Sequence, residues 1–136
     1  MSDAEMAQVH RQNLERLMIN DIQRVDDLAV HLQTETVRRA RSRSGTIPSS
    51  MVLAEALAQT SPDTRINAIW GDCDVIAGDY IEERRHYFEA LPNSGSFQLV
   101  EGAGHWVMYE QPAAFENVLV TAVNDGPGPY ATRLSQ

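Results

Sequence analysis

The chain has 136 residues, 43% of them apolar and 22% charged, which is the composition of one packed domain and excludes a disordered chain. Eleven Arg and no Lys stand against 19 Asp and Glu, for a net charge of −8 at pH 7. The basic face that releases counterions on phosphate binding is therefore missing, and a nucleic-acid binder is excluded.

In chain order, Met6, Val9, Leu14, Leu17 and Met18 recur at helical spacing and predict an amphipathic helix over Ala4–Ile19, ended by Asn20 or Asp21. Asp26 or Asp27 can cap a second helix that runs through Leu28, Leu32 and Val37 toward Arg43. Its last turns carry Arg38, Arg39, Arg41 and Arg43. Cations there match the helix dipole, so the cluster reads as a solvated helix end, with a clamp for a substrate carboxylate as the other reading. Gly45–Ser50 is a loop, Ser50 can cap a short helix through Leu57, and Thr60-Ser61-Pro62-Asp63 is a turn cluster.

From there the pattern changes to short strands and helices. Ile66–Trp70, closed by Gly71, has the look of a buried parallel strand. Asp79 and Glu82 are spaced as a capping box before a helix with Ile81, Arg84, Phe88 and Leu91 on one face, stopped by Pro92. Phe97–Val100 is a second strand, and Pro112 opens a helix carrying Phe115, Val118, Leu119 and Ala122. The tail from Asn124, with Gly126-Pro127-Gly128-Pro129, offers little to anchor it and is expected to fray. Residues 69–136 hold 3 Arg against 10 acids, so the β-α-β-α half carries most of the net charge.

The lone Cys73 excludes an internal disulfide and a multi-cysteine metal site. His10, His31, His86 and His105 have no paired spacing on a helix face, and no G-x-G-x-x-G joins a strand to a helix, so neither metal nor cofactor is expected. His86, beside Arg84 and Arg85, should face solvent. The N-terminus lacks a charged segment followed by an apolar run, and no stretch reaches the roughly 18 apolar residues of a membrane span, so the expected location is cytoplasmic, away from membranes.

In an open α/β sheet, functional groups gather in the loops beyond the carboxyl ends of the strands. Two such loops are Trp70-Gly71-Asp72-Cys73-Asp74 and Gly102-Ala103-Gly104-His105-Trp106, which bring an Asp and a His to one edge. A carboxylate so placed fixes the tautomer of an imidazole and stabilises its protonated form while the imidazole takes a proton from a nucleophile. Gly102 and Gly104 suit a sharp turn that carries the ring to the sheet edge.

Ile69-Trp70-Gly71-Asp72-Cys73-Asp74, then Gly102-Ala103-Gly104-His105-Trp106 with His105 31 positions after Asp74, then Glu110-Gln111-Pro112 and Phe115, resembles the C-terminal part of an α/β-hydrolase. In that family the W-G-x-x-D loop follows the seventh strand and carries the triad acid, and the G-x-G-H loop follows the eighth and carries the triad base. By position, the resemblance implies Asp74 as acid and His105 as general base. It spans residues 65–122, and the helices from Ala4 to Leu57 resemble the cap that family members insert between strands six and seven. The implied architecture is a partial α/β-hydrolase fold missing the first six strands: a cap-like segment over 1–64, the C-terminal part of the core over 65–123, and a flexible tail over 124–136. Trp106 followed by Tyr109-Glu110 is reminiscent of relatives that hydrolyse carbon–carbon bonds, in which Trp106 would contact substrate; the other reading packs its ring beneath the loop.

No G-x-S-x-G nucleophile elbow occurs among the 136 residues, nor does an oxyanion-hole loop. Ser94-Gly95-Ser96 precedes a strand rather than a helix, and Cys73 would act as a nucleophile only with a lowered pKa and His105 in reach. The expectation is a serine-type hydrolase of small esters or related carbonyl compounds that is inactive alone. The open edge of strand 66–70 calls for a partner, either another copy or a complementing chain. The contrasting readings are a non-catalytic docking module and a truncated gene fragment.

Overall fold

The computed structural model describes residues 2–41 and 50–124. Helix α1 (Asp3–Asn13) starts with a capping box: the Glu5 amide donates to Ser2 Oγ at 3.3 Å and the Ser2 amide to the Glu5 carboxylate at 2.6 Å. The helix expected to continue to Ile19 instead widens after Asn13 into a π-type turn (Leu14–Met18), closed by the Ile19 amide donating to Leu14 O at 2.9 Å. The extra residue lets Leu14 and Ile19 both enter one apolar cluster with Val25, Ala29 and Val30, whereas a uniform helix would set the two about 140°, two-fifths of a turn, apart.

Helix α2 (Asp27–Arg39) is capped by Asp26, whose carboxylate accepts from the Ala29 amide at 2.8 Å. It ends earlier than the pattern suggested. Arg38 and Arg39 pair with Glu35 one turn back at 2.8 and 3.0 Å, whereas Arg41 and Arg43 have no acid three or four residues before them. Arg43 and the loop from Gly45 lie outside the described residues except for Ser50, as does the Gly-Pro tail. Ser50 Oγ does accept from the Val52 amide, at 3.4 Å, ahead of the short helix α3 (Val52–Ala58).

Strand β1 (Ile66–Gly71) pairs in parallel with β2 (Ser94–Val100), with Ala68 opposite Phe97 and Gly71 opposite Val100. β2 begins three residues before the expected Phe97, so Ser94-Gly95-Ser96 is strand, not an approach to it. The crossover is helix α4 (Ile81–Glu89), which puts Phe88 edge-on to Trp70 at 5.7 Å while Trp70 stacks on Phe97 at 5.5 Å. The guanidinium of Arg85 lies 4.8 Å from the Phe97 ring centre. His86 on this helix is exposed, as expected.

The capping box expected from Asp79 and Glu82 does not form, because the chain is already wound through a 3-10 turn (Gly78–Tyr80) before the helix begins at Ile81. Glu82 pairs with Arg85 at 3.1 Å instead. Nor does α4 run to Pro92: it stops at Glu89, and Leu91 is buried from the turn beyond it.

A short helix α5 (Val107–Glu110), not anticipated, follows the second loop and leads into α6 (Pro112–Asn124). Phe115 and Val118 of α6 pack with Ile69, Val100, Ala103 and Val107. With α4 contributing Phe88 to the Trp70 and Phe97 side, the two-stranded sheet is clothed on both faces, as parallel strands require. The molecule is thus a small α/β arrangement around a two-stranded parallel sheet, joined to the α1–α2 pair through Trp106 and Tyr109. Among the described residues no helix is long and apolar enough to cross a membrane.

Candidate functional site

The two loops after β1 and β2 are stitched together by their own backbone. The Cys73 amide donates to Ala103 O at 3.0 Å, the Asp72 amide to Val100 O at 3.2 Å, and the Gly102 amide to the Asp72 carboxylate at 2.8 Å. Gly102 sits at φ 71°, in the left-handed region that favours glycine. Gly104 is needed for space: a Cβ there would lie 2.8 Å from both Asn20 N and a Glu110 carboxylate oxygen.

This stitching brings Asp74 and His105 together. His105 Nδ1 lies 2.9 Å from Asp74 Oδ2, while Asp74 Oδ1 accepts the amides of Ile76 and Ala77 at 2.8 and 3.2 Å. Three contacts therefore fix the carboxylate, whose side chain is 2% exposed against 41% for His105. A carboxylate can only accept, so Nδ1 carries the proton and donates, and in the neutral ring Nε2 is left as the acceptor. The sequence-predicted acid and base thus meet as a pair.

Cys73 sits one residue from Asp74 but has the wrong electrostatics for a nucleophile. A hydrogen bond with Asp72, burial, and the negative charges of Asp72 and Glu110 push its thiol up, favouring the protonated, unreactive form. Ser96 donates its hydroxyl to Asn67 Oδ1 at 3.2 Å. It lies four residues before the carboxyl end of β2, about 13 Å along the strand from the loop that carries His105.

Trp106 follows His105 and is partly buried against the cluster of Leu14, Ile19 and Val25, with its ring edge-on to Tyr109 at 5.8 Å. Its amide donates to Met18 O at 2.9 Å, a carbonyl left free at the end of the π-type turn. Glu110 was visible in the sequence only as part of a motif. It is fully buried, and its carboxylate accepts three amides: Asn20 at 2.8 Å and Asp21 at 3.0 Å on Oε1, and Gly104 at 2.6 Å on Oε2. No sequence signal marks it, because two of its partners lie some 90 residues away.

A cleft of about 90 Å³ opens between the π-type turn and the two loops, lined by Arg16, Met18, Asn20, Cys73, Val75 and Gly104 among others. A larger one of about 220 Å³, between β2 and α6, contains neither loop and is lined by Ser96, Gln98 and Asn117 with parts of α6. Among the described residues no three His, Cys, Asp or Glu side chains are grouped to hold a metal. Comparison with protein-family models, with curated proteins and with solved structures finds no match to this chain.

Proposed function

We propose that the chain supplies the acid and general base of a serine-type hydrolase in the α/β-hydrolase manner, acting on small esters or related carbonyl compounds, carbon–carbon bond hydrolysis included. The observation that carries this reading is the 2.9 Å contact of a buried, threefold-anchored Asp74 with Nδ1 of a partly exposed His105. In that arrangement Nε2 takes the proton of an attacking hydroxyl, Asp74 stabilises the imidazolium that results, and the same proton passes to the leaving group.

The hydroxyl and the oxyanion donors have to come from outside these 136 residues, since no G-x-S-x-G occurs among them. Oxyanion donors contribute roughly 3–4 kcal/mol each, so the chain by itself should turn over an activated ester no faster than buffer. The test is complementation. The purified chain is mixed or co-expressed with an α/β segment that bears a serine elbow and strands to pair with β1, and hydrolysis of a generic ester is followed. Activity that appears only with both parts and disappears with His105→Ala supports the reading. Activity of the chain alone that vanishes with His105→Ala overturns the need for a complement.

A docking module is the second reading, favoured by the exposed apolar side chains Leu28, Leu32 and Val37 on α2 and Leu119, Val120 and Val123 on α6. It separates from the first because capture of a partner would survive both Asp74→Asn and His105→Ala.

A further inference from the structure

The His105 loop is held to the segment that joins α1 to α2 by contacts on both sides of the base. Before it, Asn20 Nδ2 donates to Gly102 O at 3.2 Å and the Gly104 amide donates to Glu110; after it, the Trp106 amide donates to Met18 O at 2.9 Å. Glu110 is the common element, because one of its carboxylate oxygens takes Gly104 and the other takes the amides of Asn20 and Asp21. It has no exposure to solvent, and the space beside it is one that Gly104 leaves by lacking a Cβ.

A carboxylate sealed from water and facing three amide donors on two chain segments has few alternatives to that geometry. If the helical pair shifts, Oε1 loses its donors, and a buried charge left short of partners must move or be rehydrated. Either response moves Gly104, the residue immediately before His105. We infer that Glu110 is a positioning residue that ties seating of the α1–α2 pair to formation of the Asp74–His105 pair, so that the base is aligned only while the helical pair is docked. This deepens the acid–base reading of the site and rests on it, but on the pair alone, not on the hydrolytic chemistry.

The two oxygens allow a selective test. Glu110→Gln preserves size and offers one acceptor, so either Gly104 or the Asn20–Asp21 arm must face an amide NH₂, donor against donor. The experiment is nitrogen and low-field proton NMR of the histidine-labelled chain, reading the His105 Nδ1 proton and the ring tautomer, with backbone amide spectra as the record of the fold. In the unmodified chain the Nδ1 proton resonance is present, and Asp74→Asn removes it. Glu110→Gln is expected to lose or broaden that resonance while the amides of β1, β2 and α6 stay in place. A merely structural role would leave the His105 signal intact wherever the fold survives.

Should Glu110→Gln fail to fold, Glu110→Asp reads the same tie: it keeps the charge and both oxygens but is one methylene shorter, so it cannot reach Gly104 and the Asn20–Asp21 amides together. Loss or broadening of the His105 signal is expected there too. A His105 signal that depends on Asp74 but is unchanged in these variants overturns the inference and leaves the acid–base pair standing. A signal indifferent to Asp74→Asn overturns both.

Discussion

Asp74 and Tyr109 show how one contact sets the chemistry of a side chain. Asp74→Asn keeps one oxygen for the amides of Ile76 and Ala77 but turns an NH₂ toward Nδ1, which must then become the acceptor and send the ring proton to Nε2. The fold should persist, with a stability change of about 1 kcal/mol, while nitrogen NMR of His105 reports the reversed tautomer. In a complemented enzyme the same change is expected to lower kcat on the order of 10⁴-fold, since the base would present a proton where it must accept one.

Tyr109 donates its hydroxyl to Asp26, the cap of α2. Burial first, then the Asp26 hydrogen bond and charge, push the phenol up to about 12, and the same hydrogen bond, with that of the Ala29 amide, holds Asp26 below its ordinary value of 3.8. The phenol binds its proton more tightly in the folded chain, so its contribution to stability is whole below about pH 10 and is lost as pH rises toward 12. For Asp26 the sign reverses: its contribution is present above about 3.8 and disappears as pH falls through the lowered value. A phenolate absorbance titration should show one tyrosine lagging, and Tyr109→Phe should remove both the lag and part of the alkaline fall in Tm.

Between elements, buried polar contacts decide the arrangement as much as apolar area does. Glu110→Ala would strand the amides of Asn20, Asp21 and Gly104, at a cost of about 3 kcal/mol or more. Thermal unfolding followed by circular dichroism should show Tm falling by about 10 °C for a chain of this size. Gly104→Ala drives a Cβ to 2.8 Å from Asn20 N and 3.0 Å from Met18 O, backbone atoms that cannot swing aside. A loss of about 1–3 kcal/mol follows from such overpacking, and it should be confined to the seam between the π-type turn and the His105 loop. Protection of the Trp106 amide from hydrogen exchange, which depends on Met18 O, measures that seam directly.

For the molecule as a whole, the described sheet has only two strands, so β1 and β2 each have one unpaired edge. The faces of the sheet are covered but its edges are not, and exposed Leu28, Leu32, Val37, Leu119, Val120 and Val123 add apolar surface. Sedimentation of the purified chain is expected to show a coefficient that rises with concentration, as copies add to that edge. A single monomeric boundary over a wide concentration range would show that no second copy adds to that edge.

The order of strands and helices was legible from residues 66–124 because local patterns carry it: a short apolar run closed by Gly71, a helical period ending near Pro92, a proline opening α6. That an Asp and a His would meet was legible for a related reason, since adjacent parallel strands deliver their loops to the same edge, while the choice of Asp74 over Asp72 came from the resemblance of the W-G-x-x-D loop. Other features were not, the short helix α5 and the 3-10 turn in place of the Asp79–Glu82 capping box among them. The π-type turn at Leu14–Met18 arises because two apolar residues must reach one cluster; α2 stops at Arg39; and the burial of Glu110 depends on amides some 90 residues away. Periodicity records what a segment prefers by itself. Which carbonyl, amide or carboxylate it meets after packing is fixed only when distant segments share one low-dielectric seam, and there the tertiary structure alone decided how His105 is held.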